Sequence, residues 1–182
     1  MRSARPWSLV ITLVGVLLAQ SALGSSEDQR ATLRHLSGLS VGVSISCDRP
    51  EFTALVDSAG LVTKLELELR RASVKIYTVE ALKTAQSPGI LTLEIDAVPS
   101  SSQTEGAAAS PLSYAISVRL YVTQVLWVVK KGLPVQMLLA EGWSKGLVLN
   151  YGTTTLQKGI LAKDITDLAD ELANDWLAAH GR

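Results

Sequence analysis

Leu39, Val41, Val43 and Ile45 alternate with Ser40, Gly42, Ser44 and Ser46. A period of two predicts a half-buried strand with a small, polar outer face. Asp48-Arg49-Pro50 breaks it. Leu61, Leu65, Leu69 and Ala72 then recur at helical spacing, with Lys64, Glu68 and Arg71 elsewhere, so a helix is expected from about Ala59 to Ala72, with Leu67 pointing off the apolar stripe. Val74 and Ile76 suggest a short strand over Ser73–Thr78, and Glu80–Pro88 reads as a connection with room for one helical turn. From Ile90 to Val98 the chain is extended again, with Leu91, Leu93, Ile95 and Ala97 on one face and Glu94 and Asp96 on the other.

Pro99 to Pro111 holds only small and polar residues between its prolines and is expected to be a mobile hairpin loop. From Leu112 to Val129, Tyr114, Ile116, Val118, Leu120 and Val122 alternate with Ser113, Ala115, Ser117, Arg119, Tyr121 and Thr123. The phase blurs at Val125–Val129, as a bulge or burial on both faces would make it do. Lys130-Lys131-Gly132-Leu133-Pro134 is a turn. A last strand follows, from about Val135 to Leu149, interrupted near Gly142, so the pair forms a long antiparallel hairpin. The C-terminal helix, about Gln157 to Ala179, carries Leu161, Ile165, Leu168, Leu172 and Trp176 on one stripe. Asp164, Asp167, Asp170, Glu171 and Asp175 fall on a solvated face.

This order predicts an α+β domain built as a two-layer sandwich, with an about five-stranded, mostly antiparallel sheet and two helices on one face. Residues 1–24 read as a signal peptide, 25–38 as a flexible N-terminal segment and 39–179 as the single α+β domain. Arg2 and Arg5 precede an apolar run from Trp7 to Ala19, and Ala22-Leu23-Gly24 supplies small residues for a cut before Ser25. The run is shorter than the roughly 20 residues that a bilayer crossing takes. The expected product is periplasmic or secreted, with no transmembrane segment after cleavage.

Losing Arg2 and Arg5 reduces the 17 basic residues to 15, against 17 acidic ones, and this balance argues against a nucleic-acid partner. Cys47 is the single cysteine, so no intrachain disulfide forms; it reads as a thiol at a strand end. Only two histidines are present, His35 and His180, near opposite ends of the mature chain in segments expected to be polar and mobile. No metal-ligand spacing or phosphate-binding glycine loop occurs. Glu94 and Asp96 share a strand face as exposed acids commonly do. No catalytic, cofactor-binding or metal-ligating residue is assigned, and no cofactor is expected.

The softer candidates lie on the surface. Trp127 and Trp143 sit on partner strands of the long hairpin and would serve as anchors for a partner if exposed, as core residues if not. Lys130 and Lys131 mark its tip. Arg119 and Tyr121 belong to the sheet face that no helix covers.

Gly142-Trp143-Ser144-Lys145-Gly146, Ile165-Thr166-Asp167-Leu168 and Leu172-Ala173-Asn174-Asp175-Trp176-Leu177 make the chain resemble a group of uncharacterised secreted bacterial proteins. The layout over residues 39–179 is similar to that of the Tol-system translocation protein N-terminal domain, curli-secretion subunits and lipoprotein activators of penicillin-binding proteins. Cys47 does not sit where the pore and activator proteins carry a lipidated cysteine. The resemblance implies a non-catalytic exported protein that binds or scaffolds an envelope protein, or itself. The alternatives are a homo-oligomeric structural subunit and a carrier of a small apolar or lipidic ligand.

Overall fold

The computed structural model describes residues 26–100, 113–128, 136–152 and 159–181. The expected signal peptide, residues 101–111 of the expected Pro99–Pro111 loop, and Lys130 and Lys131 lie outside the described residues, while Pro99 and Ser100 of that loop continue a strand. In chain order the elements are α1 (Ser26–Leu33), β1 (Gly38–Cys47), α2 (Pro50–Leu55), α3 (Ser58–Arg71), α4 (Val79–Leu82), β2 (Pro88–Ser100), β3 (Ser113–Val128), β4 (Gln136–Gly152) and α5 (Ile160–Ala179).

The sheet is open and runs β1-β2-β3-β4, with β1 parallel to β2 and the other neighbours antiparallel. The α+β class therefore stands, but the described sheet has four strands and is mixed, and five described helices accompany it. The expected strand at Ser73–Thr78 meets β1 at a single bridge, Leu39 to Ile76. Leu39 N–H donates to the Lys75 carbonyl and Tyr77 N–H to the Leu39 carbonyl, both at 2.8 Å. Ser73 enters this stretch at φ 60, and the Thr78 hydroxyl already caps α4 by accepting from Ala81 N–H. Too few extended residues remain between them to form a strand. The helical connection α2–α4 carries the chain back over the sheet, which is why β2 runs parallel to β1.

Two helices go beyond the sequence expectation. Pro50 ends the alternation of β1 but also starts α2, because proline at the first helical position gives up an N–H that has no helical partner anyway. Phe52 anchors that helix in the core against Tyr114, with ring centroids 4.9 Å apart. The segment 25–38, expected to be flexible, contains α1, with Leu33 and Leu36 buried. A single buried apolar side chain in an eight-residue helix leaves almost no periodic signal.

The two amphipathic helices follow their stripes. In α3, Leu61, Leu65 and Leu69 are buried and Leu67 is exposed; the Asp57 carboxylate accepts from Gly60 N–H at 2.9 Å and caps the helix. In α5 the whole predicted stripe is buried. The core lies between these helices and one sheet face, formed by Leu91, Leu93 and Ile95 of β2 and Ile116, Val118 and Leu120 of β3.

Gly38 sits where β1 meets its bridge. A Cβ there would collide with the Lys75 carbonyl oxygen and lie 2.7 Å from the Tyr77 ring. Gly38→Ala should therefore cost about 1–3 kcal/mol, as overpacking does, and should free the Leu39 and Tyr77 amides in hydrogen exchange. Unchanged protection of both would contradict the close approach.

Candidate interaction surface

The sheet face away from the helices is set by the strand registers. Across it run Gly42, Thr92, Tyr121 and Ser144 in one row, and Ser44, Glu94, Arg119 and Gly146 in the next. The sequence expectation for Arg119 and Tyr121 agrees with this register. The Arg119 guanidinium lies 4.9 Å from the centre of the Tyr121 ring and reaches along the strand to an ion pair with Glu141. This pins a flat cationic group on an aromatic face. Gly146 leaves a shallow depression of about 270 Å3 beside Arg119, lined by Ser117, Ser144 and Val148.

The two sheet edges differ. β4 carries Glu141, Lys145 and a bulge: Val122 pairs with Trp143 and Thr123 with Glu141, so Gly142 is skipped. Such features discourage stray strand pairing. β1 has no proline or charge between Val41 and Cys47, and past the Leu39 bridge no described strand lies beside it. Among the described residues no strand pairs with its outer backbone groups there.

Past Gln124 the hairpin outruns β2 and becomes a two-stranded ribbon. Leu126 on one face is 46% exposed and Leu139 on the other 56% exposed. Trp127 pairs through its backbone with Met137 within this ribbon.

Trp143 is not a surface anchor. It is fully buried, and its indole N–H donates to Asp175 Oδ2 at 2.9 Å. Of the two readings open to it, anchor or core, the core one holds: its side chain points to the helix face, paired with Val122. Asp175 likewise leaves the solvated acidic face expected for it: it is only 7% exposed. Arg30 of α1 donates its Nε–H to Asp175 Oδ1 at 2.5 Å, so one carboxylate joins α1, β4 and α5. A buried carboxylate needs such partners to offset its lost hydration.

A second polar lock joins β4 and α5, where the Tyr151 hydroxyl donates to Asp164. Burial first, then the Asp164 hydrogen bond and charge, push the Tyr151 phenol from 10.0 up to about 12. Because the folded value is the higher one, the protonated phenol favours the fold. That contribution is complete below about pH 10 and fades between about pH 10 and 12. Urea midpoints of the wild type and Tyr151→Phe should therefore differ at pH 8 and converge by pH 12. A gap that persists at pH 12 would contradict the lock.

Among the described residues no three His, Cys, Asp or Glu side chains gather as metal ligands. Cys47 ends β1, half-buried, with its sulfur accepting from Arg49 N–H at 3.5 Å. His180 lies in packed structure rather than in a mobile tail: it stacks on Trp176 at 4.5 Å, and its ring nitrogens lie 2.9 and 3.3 Å from the Trp176 and Leu36 carbonyls. Between the α2–α3 turn and the start of α5 lies a cavity of about 210 Å3, smaller than the roughly 300–1,000 Å3 usual for small-molecule sites. A wider depression of about 570 Å3 beside Tyr77 stands open to solvent. No described helix is long and apolar enough to cross a membrane.

No family model matches the chain, and no curated protein matches it. Three solved structures are similar in part. A neuraminyllactose-binding hemagglutinin homologue from Helicobacter pylori has 11% identity and a TM-score of 0.42, covering 80% of this chain and 86% of its own. A minor lipoprotein from Acinetobacter baumannii has 12% identity and a TM-score of 0.38, covering 78% and 91%. The rare lipoprotein B from Shewanella oneidensis has 15% identity and a TM-score of 0.25, covering 78% and 93%. None of the three is a Tol-system translocation protein or a curli-secretion subunit. With every score below 0.5, no property passes from these structures to this chain.

Proposed function

We propose that this is an exported, non-catalytic protein of the cell envelope that binds another protein across the open face of its sheet. The observation that carries the proposal is the pinned Arg119–Tyr121 pair on the face that no described helix covers, where Val98 and Val148 are also exposed. Such a face is ordered before binding, so little side-chain entropy is lost on contact. The free edge of β1 lies two strands away, about 10 Å at the usual strand spacing. A partner strand added there would bond to backbone groups alone, and the rest of that partner would rest on Tyr121. Backbone pairing requires no side-chain motif, in keeping with a chain that shows none.

The test is the double variant Arg119→Glu with Tyr121→Ser. Both side chains stand outside the core, so stability should change by no more than about 1 kcal/mol, while affinity for the partner falls at least tenfold. Equal affinity in the variant would refute the surface. Export itself is tested by N-terminal sequencing of the protein recovered outside the cytoplasm, with Ser25 expected as the first residue.

The exposed Leu126 and Leu139 favour a second reading, self-assembly through the hairpin ribbon. It predicts a scattering mass that rises with concentration and returns to that of a monomer in Leu139→Lys. A monomer at every concentration would remove it.

A further inference from the structure

We propose that α1 is a detachable strap, which swings away as a unit about the exposed Arg34–His35 turn while the sheet and α5 stay folded. Eight residues are too few to hold a helix in water, where about 12–15 are already marginal, so α1 exists only through its attachments. The main ones are polar. Arg30, its side chain 45% exposed, holds Asp175 on α5. The Gln124 side-chain amide on β3 donates to the Thr32 carbonyl at 2.6 Å. Thr32 rests on β4 where Gly142 has no side chain; a Cβ there would come within 2.8 Å of the Thr32 Cβ. Among the described side chains of α1 only Leu33 is buried, against nine buried residues in α5.

The chain is fixed again just beyond the turn, which sets the position of the hinge. Leu36 is buried, its carbonyl lies 3.3 Å from His180 Nε2, and Ser37 N–H donates to the Ser87 carbonyl at 3.0 Å. Arg34 and His35, between these anchors and α1, are exposed. The Arg30–Asp175 ion pair belongs to one local arrangement around the Asp175 carboxylate, shared with the Trp143 indole. Detachment returns Arg30 to water, uncovers β4 at Gly142 and leaves the Trp143 indole on a carboxylate that has lost its cationic partner.

Native-state hydrogen exchange of the intact protein tests this, with the Trp143 indole N–H followed alongside the backbone amides. A strap predicts that the Arg30–Leu33 amides and the Trp143 indole exchange together, at least tenfold faster than Leu93 and Val118 in the central strands. Arg30→Ala and Gln124→Ala remove contacts that every open state lacks, so each should speed both groups by a similar factor and keep the gap between them. Ile95→Val, whose contacts survive strap opening, should speed only Leu93 and Val118. If the strap amides and the indole exchange at the core rate, or if Ile95→Val accelerates both groups equally, α1 opens only with the whole fold and the proposal fails.

Discussion

Replacing Trp143 by alanine is expected to lower the unfolding free energy by about 3–5 kcal/mol, the usual cost of emptying a buried tryptophan site. The side chain has no exposed surface and is the largest fully buried one among the described residues. Its loss also removes a donor from Asp175, a buried carboxylate left short of partners. Trp143→Phe separates the two effects. It keeps most of the ring volume but has no N–H, so it should cost about 1–3 kcal/mol from the hydrogen bond alone. Urea unfolding at neutral pH reads both, with the slope against denaturant unchanged if only stability has moved. A Trp143→Ala change below about 1 kcal/mol would place the indole outside the core.

The second large effect is a contrast between neighbours. Leu93 and Glu94 are adjacent on β2, but Leu93 is fully buried on the helix face, while Glu94 lies on the open face opposite Arg119. Leu93→Ala should cost about 2–5 kcal/mol, and Glu94→Ala should stay within about 0.5 kcal/mol. Because strand side chains alternate, a register slip by one residue would exchange the two results. Similar costs at both positions would contradict the one-sided core.

Local periodicity accounts for most of what can be read from the chain. The stripe Leu161–Ile165–Leu168–Leu172–Trp176 and the alternation from Tyr114 to Val122 each span enough turns or pleats to identify an element and the face it buries. Arg119 and Tyr121 are legible for the same reason, since their phase on β3 puts them opposite the core. Features that depend on contacts distant in sequence are not legible. Arg30 and Asp175 are 145 residues apart, and nothing near either one shows that they meet. Trp143 could be read as either anchor or core, because Gly142 and Ser144 flank it and blur the alternation. Yet Gly142 is the bulge that lets Thr32 approach, and the core lies beneath. Strand direction is hidden too: β1 and β2 have ordinary alternation, and only the helical crossover between them makes the pair parallel.

The central claim is that the open sheet face is where this protein meets its partner. It is tested most directly by placing a photo-reactive residue at Tyr121 in the protein within its own cells, with Lys64 on α3 as the helix-side control, and identifying the adducts by mass spectrometry. The account predicts one reproducible adduct with another protein from position 121, absent from position 64 and lost when Arg119→Glu is added. Equal adducts from both positions, or an adduct at 121 that survives Arg119→Glu, would contradict it.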